Sequence, residues 1–203
     1  VIRLSGASSF AVIDKVFAGK SKIANAKTHT IHYGYIVEND EIIDDVLVSI
    51  FRAPNSYTSE DIVEVSTHGS PLIAQKIISL MINSYEVRLA EPGEFTKRAF
   101  LNNRIDLTQA EAVADLINSR TSVSLRGARN QLDGLLSSKV TFLRQKLVDI
   151  SSFIELELDF EEEDVEFVRR NELNEKINEV LIEIKGLLDS YAFGKVIRDG
   201  VNI

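Results

Sequence analysis
The sequence predicts an α+β domain over residues 1–101, followed over 102–203 by an all-α region of long antiparallel helices. Two observations carry this. In the first hundred residues short apolar runs with strand character alternate with helical patterns bounded by turn residues. From Leu107 onward the apolar positions recur in steps of three and four, and the strand period does not return before the last few residues. A chain of 203 residues can bury a sizeable core.

Taken in order, Val1–Leu4 reads as a strand. Phe10, Ile13, Val16 and Phe17 fall on one helical face, with Ser8-Ser9 before them and Gly19 expected as the C-cap. His29–Val37 and Ile42–Phe51 read as strands around the turn Glu38-Asn39-Asp40. The second is apolar on both faces from Val46, which predicts a central position in a sheet. Asp61–Thr67 is another strand. Ser70 as N-cap and Pro71 at the first helical position open a helix through Leu80-Met81. Glu86–Leu89 is expected to be a closing strand. Pro92-Gly93 then opens a short helix that Asn102-Asn103 end.

Thr108-x-x-Glu111 predicts a capping box for the next helix, with Ala110, Val113, Ala114 and Ile117 on one face. Leu125, Ala128, Leu132, Leu136, Val140, Leu143, Leu147, Ile150 and Ile154 predict one long helix with a repeat near 3.5 residues. The acidic stretch Glu155–Glu166 is expected to connect it to a second, marked by Leu173, Ile177, Val180, Ile184, Leu187 and Tyr191. Two such helices make an incomplete bundle, so further helices are expected from later chain or from a partner subunit. Gly194–Ile203 reads as the approach to a strand that continues beyond Ile203.

Composition narrows the function classes. Apolar residues make up 44% and charged residues 27%, ordinary values for a globular protein. No apolar run approaches the ~20 residues of a membrane-spanning helix, and no secretory signal opens the chain. The lack of cysteine excludes disulfides, thiolate catalysis and Cys-based metal sites, and fits a reducing interior. A net charge of −8 argues against broad non-specific binding to a phosphate backbone.

Gly19-Lys20-Ser21 imitates the end of a phosphate loop, but Asp14 stands where the pattern needs glycine, and the segment follows a helix rather than a strand. His29 and His32, three apart on a strand, point to opposite faces and cannot chelate one metal together. His68-Gly69 reads as a tight turn in preference to an anion site at a helix start. The acidic run lacks the ligand spacing and central glycine of a calcium loop. Glu64, on a strand between apolar neighbours, is a carboxylate able to accept two adjacent N–H donors in a fork. Arg3 and Arg104 carry guanidinium groups that match a carboxylate bidentately. From the residues alone, a solvated strand glutamate and two surface arginines remain open readings.

Literal strings say more. R-L-A-E-P-G-E-F-T-K-R-A-F-L-N (Arg88–Asn102) and L-T-Q-A-E-A-V-A-D-L-I (Leu107–Ile117) closely resemble the signature of the bacterial tRNA-modification GTPase family MnmE (TrmE). V-I-R-L-S-G (Val1–Gly6) looks like the family segment after its Gly-rich opening. A-P-N-S-Y-T-S-E-D-I-V-E (Ala53–Glu64) is similar to its P-x-S-Y/F-T-G-E-D-x-x-E motif. S-T-H-G-S-P (Ser66–Pro71) resembles its G-H-G-G-P, and D-F-E-E-E-D (Asp159–Asp164) the acidic end of its first long helix.

The resemblance implies an N-terminal domain similar to the folate-binding domain of aminomethyltransferases, binding 5-formyltetrahydrofolate or a related one-carbon folate and forming a constitutive homodimer. It implies that Arg3, Glu64 and Arg104 are the cofactor-binding residues. It further implies a Ras-like GTPase domain, with GTP, Mg2+ and K+, just beyond Ile203. With the flavoprotein MnmG, the parent would modify C5 of the wobble uridine in certain tRNAs, in the cytoplasm and without a membrane. No catalytic residue is expected in residues 1–203, and GTP hydrolysis by this stretch alone is not expected. Three departures stand out: Arg104 where the family commonly has Lys, and Ser59 and Ser70 where it has glycines. The alternatives are a folate-dependent aminomethyltransferase, against which the helical seam speaks, and a helical dimerisation adaptor without ligand, which leaves the α+β domain unexplained.

Overall fold
Along Glu41–Phe51 every second residue from Asp44 to Ile50 is buried, and the residues between are not. That alternation builds the first of two compact units, Val1–Asp106 and Leu107–Ile203. The computed structural model describes residues 1–85, 87–159 and 170–199. The first unit holds β1 (Ile2–Ser5), α1 (Ser9–Val16), β2 (Phe17–Gly19), a 3-10 turn (Ile23–Asn25), β3 (Thr30–Glu38), β4 (Glu41–Phe51), β5 (Ile62–Ser66), α2 (Pro71–Ser84) and α3 (Glu94–Leu101). The strands form one sheet in the order β1-β5-β4-β3-β2, with every pairing antiparallel. β4 is central, as expected, although only one of its faces is buried.

One face of the sheet carries the core. Val46, Val48, Ile50, Val63 and Val65 pack there with Phe10, Ile13 and Val16 of α1 and Ile77 and Met81 of α2. Each such side chain contributes about 1.5–3 kcal/mol by leaving water. The opposite face bears Arg3, Glu64 and Ser49 in one cross-strand row. Leu47 and Tyr33 form another row there and stay exposed.

Several expectations are corrected. Gly19 does not cap α1. The helix stops at Val16, and Phe17–Gly19 pairs with β3, Gly19 opposite Gly34. Phe17 is buried in the core, which draws the chain out of the helix, and its ring lies across both glycines. His29 precedes β3 in a left-handed conformation rather than lying on the strand. The proposed closing strand is absent at Val87–Leu89, with Glu86 outside the described residues. Val87 packs on the core with its N–H turned to Tyr85 O, and Leu89 O accepts from Arg88 Nη1, so these backbone groups enter no ladder. Ser70 occupies the N-cap of α2 without a side-chain cap bond, and Pro71 opens the helix as expected.

The second unit contains α4 (Leu107–Asn118), α5 (Ser122–Leu132), α6 (Leu135–Asp159) and α7 (Arg170–Asp199). Thr108 is not a cap, because Leu107 is already helical and the Thr108 hydroxyl bonds Ser137 at 2.7 Å. A capping box forms instead between Thr121 and Ser124 at the start of α5. The long helix expected from Leu125 to Ile154 is two helices, α5 and α6, broken at Gly134 (φ 83°). Gln109 and Gln131 clasp α4 to α5 by donating reciprocally to Leu132 O and Thr108 O.

α6 and α7 meet through Leu143, Ile150 and Val180. Lys146 pairs with Glu179 and Glu183 while Lys176 sits over Phe153, so the two helices run antiparallel. Residues 194–199 continue α7 rather than approaching a strand; 200–203 lie outside the described residues, as do 160–166 of the acidic stretch. Among the described residues no helix is long and apolar enough to cross a membrane.

Candidate functional site
β1 and β5 bring the first two candidate residues together. Their register sets Arg3 opposite Glu64, on the sheet face that α1 and α2 leave open. Val63 and Val65 point into the core, so alternation alone turns the Glu64 carboxylate outward. Arg3 Nε donates to Glu64 Oε1 at 2.7 Å and Nη2 approaches the same oxygen at 2.5 Å. The Glu64 side chain is 26% exposed, and its Oε2 has no hydrogen-bond partner among the described residues. The Arg3 guanidinium also sits 5.4 Å from the centre of the Phe95 ring, which anchors it from α3.

Two residues along β1, on the same face, Ser5 donates to Glu60 and shares a hydrogen bond with Thr58, both at 2.7 Å. Thr58 is fully buried. Arg98 contacts both oxygens of Glu60 and one of Glu94, and Arg88 forks Glu94 through both of its oxygens. The Arg88 fork, then the Glu91 N–H and then Arg98 hold the Glu94 carboxyl well below the usual carboxylate range. These charges lock α3 to the 54–61 loop.

Arg104 is not in contact with Arg3 or Glu64. It is exposed, just past α3, in a turn where Asn103 is left-handed (φ 55°) and Arg104 N–H donates to Ala99 O at 2.8 Å. Asn102 Nδ2 donates to Thr58 O at 2.7 Å and so ties this turn to the loop that also holds Ser5. A hydrogen-bonded chain therefore runs from Ser5 through Thr58 and Asn102 to the Arg104 turn, while Arg3 and Glu64 form a separate pair two residues along β1.

The two serines at family glycine positions differ. Ser59 adopts φ 58°, the left-handed shape that glycine takes without cost, whereas Ser70 has φ −77° and needs no glycine. His68 forms the expected turn, Ser70 N–H donating to His68 O. It also places its N–H and Nδ1 on Asp44, at 2.9 and 2.8 Å. Burial pushes the Asp44 carboxyl up, but the His68 bonds outweigh it and hold the pKa below its ordinary value.

A cavity of about 580 Å³ runs along the β1 edge, lined by Ile2, Ile78 and Met81 from the core side and by Ser5, Phe95 and Arg98. Arg3 borders it; Glu64 and Arg104 do not. Sequence reasoning missed Ser5, Thr58, Glu60 and the charge relay of Arg88, Glu94 and Arg98. Of these, only Glu94 and Arg98 carried a local signal, a helical i, i+4 ion pair.

Residues 1–104 match the family model described as GTP-binding protein TrmE N-terminus, and residues 107–202 match the MnmE helical domain. Three relatives, each described as tRNA modification GTPase MnmE, align with the whole chain. The Flavobacterium johnsoniae protein is 48% identical over 205 residues, 44% of its own length. The Christiangramia forsetii protein is 47% identical over 205 residues (43%), and that of Streptococcus thermophilus 46% identical over 203 (44%). The chain thus spans less than half the length of these curated relatives. An α+β unit and a helical unit, matched in order from one end of the chain to the other, make it a member of the MnmE (TrmE) family.

Proposed function
We propose that this chain is the cofactor-holding part of a tRNA wobble-uridine modification GTPase, and that its first unit binds a one-carbon tetrahydrofolate such as 5-formyltetrahydrofolate. The observation that supports it most is the Arg3–Glu64 pair on the open sheet face. Pterin rings present adjacent N–H donors on one edge. A sheet-borne carboxylate with one oxygen unengaged can accept them, and the arginine beside it can turn to the anionic tail. Arg104, on the turn that Asn102 ties to the Thr58 loop, is a second guanidinium for that tail. When bound, the folate supplies the one-carbon unit; the residues described here hold and orient it.

The remainder of the activity belongs to the longer protein. Residues 1–203 contain no G-x-x-x-x-G-K-S/T sequence, so GTP, Mg2+ and K+ are assigned to a domain outside them. The flavoprotein MnmG and tRNA are the partners of the whole protein, and its setting is the cytoplasm. Homodimerisation is assigned to the first unit, whose open sheet face exposes Ile31, Tyr33 and Leu47.

Titration of the chain with 5-formyltetrahydrofolate, followed by calorimetry or ligand fluorescence, is the test. Micromolar binding in the parent that is lost in Glu64→Ala supports the cofactor role. Absence of binding in the parent favours a ligand-free adaptor instead.

A further inference from the structure
Arg104 can serve a ligand held at Glu64 only if its turn is fixed relative to the sheet. Most bonds in that turn are local: Asn103 N–H to Phe100 O at 3.0 Å, and Arg104 N–H to Ala99 O at 2.8 Å. They fix the turn on α3 but not on the strand that bears Glu64. One bond that reaches outward is Asn102 Nδ2 to Thr58 O at 2.7 Å. Thr58 is fully buried, and its hydroxyl meets Ser5, on the same strand and face as Arg3. α3 has separate attachments nearer its start, Tyr57 to Thr96 and Glu60 to Arg98. Loss of the Asn102 bond therefore leaves the helix docked and frees only its last turn.

We propose that Asn102 is a positioning residue for the folate site, its amide fixing the turn that carries Arg104 to the Thr58 loop beside β1. This rests on the folate reading above. An amide is required because Thr58 O needs a donor; a carboxylate at this position would oppose it. A simple helix end would need no bond to another loop, since Asn102 N–H already closes α3 on Arg98 O.

The test is a double-mutant cycle on the 203-residue chain, read as the dissociation constant of 5-formyltetrahydrofolate at two salt concentrations. Circular dichroism and thermal melts report whether each variant folds. Arg104→Ala weakens binding about tenfold, the scale of one charge-assisted hydrogen bond. Asn102→Ala weakens it about fivefold, Asn102→Asp more, and the double variant matches Arg104→Ala alone, because the two residues act as a unit. Asn102→Ala also flattens the salt dependence that Arg104 confers. A purely structural asparagine would lower the melting temperature without changing that salt dependence. Unchanged affinity in Asn102→Ala, or losses that multiply in the double variant, overturns the proposal. If Glu64→Ala and Arg104→Ala both bind like the parent, the folate reading itself fails and the role of Asn102 falls with it.

Discussion

A serine at position 59 sits in the left-handed region, where its Cβ crowds the backbone at a cost of about 1–2 kcal/mol. The loop tolerates this because Ser56 and Asp61 brace it, Ser56 donating to Glu60 O and Asp61 accepting from Ala53 N–H. Ser59→Gly is expected to raise stability by about 0.5–1 kcal/mol, less than the full strain because glycine loosens the unfolded chain; a denaturant melt measures it. Glu94 gives a pH signature. Its folded-state pKa lies below the unfolded value of about 4.3, so the stabilisation is complete above about pH 5 and is lost as pH falls toward the folded-state pKa. Glu94→Gln should therefore melt at lower temperature than the parent at pH 7, with the gap narrowing below pH 5. A gap that stays constant down to pH 3 would remove the Arg88 fork from the explanation. At this scale the sequence displayed Arg3, Glu64 and Arg104 as chemistry. It could not display Thr58 or Ser5, whose hydroxyls matter only because the fold sets residues more than fifty positions apart against each other.

Among the elements, β3, β4, β5 and α2 were legible from an apolar period with a turn residue at the edge, and α3 from the turn residues that bound it. β2 was not. Three residues, F-A-G, carry no period, and the strand exists because Phe17 has a place in the core and Gly34 leaves room for its ring. Gly34→Ala would set a Cβ 2.5 Å from Ala18 O and from the Phe17 ring, and is expected to cost about 1–3 kcal/mol. Gly69→Ala, which meets nothing within 4 Å, is the matched control, and thermal melts of the two compare them directly. The seam from Leu125 to Ile154 kept its step of three and four across the break at Gly134, so periodicity concealed two helices behind one pattern. Val87–Leu89 shows the reverse failure. Its residue types suit a strand, yet Val87 N–H closes a local turn on Tyr85 O and Arg88 Nη1 takes the Leu89 carbonyl.

Over the whole chain, chemistry and scaffold separate between two units. Every residue of the proposed folate site lies in Val1–Asp106, while the antiparallel pair α6 and α7 has a core of its own around Leu143, Ile150 and Val180. Leu143→Ala should cost the helical unit about 2–4 kcal/mol, given partial relaxation of the cavity, and leave the folate dissociation constant unchanged. Loss of folate binding in that variant would mean the units do not act independently. The most direct measurement is a crystal structure of the chain with 5-formyltetrahydrofolate. Adjacent pterin N–H groups within hydrogen-bond distance of the Glu64 carboxylate, with Arg3 and Arg104 turned toward the tail, are the expected result. A folate seated among Ile2, Ile78 and Met81 of the 580 Å³ cavity, with the Arg3–Glu64 contact intact, would contradict it.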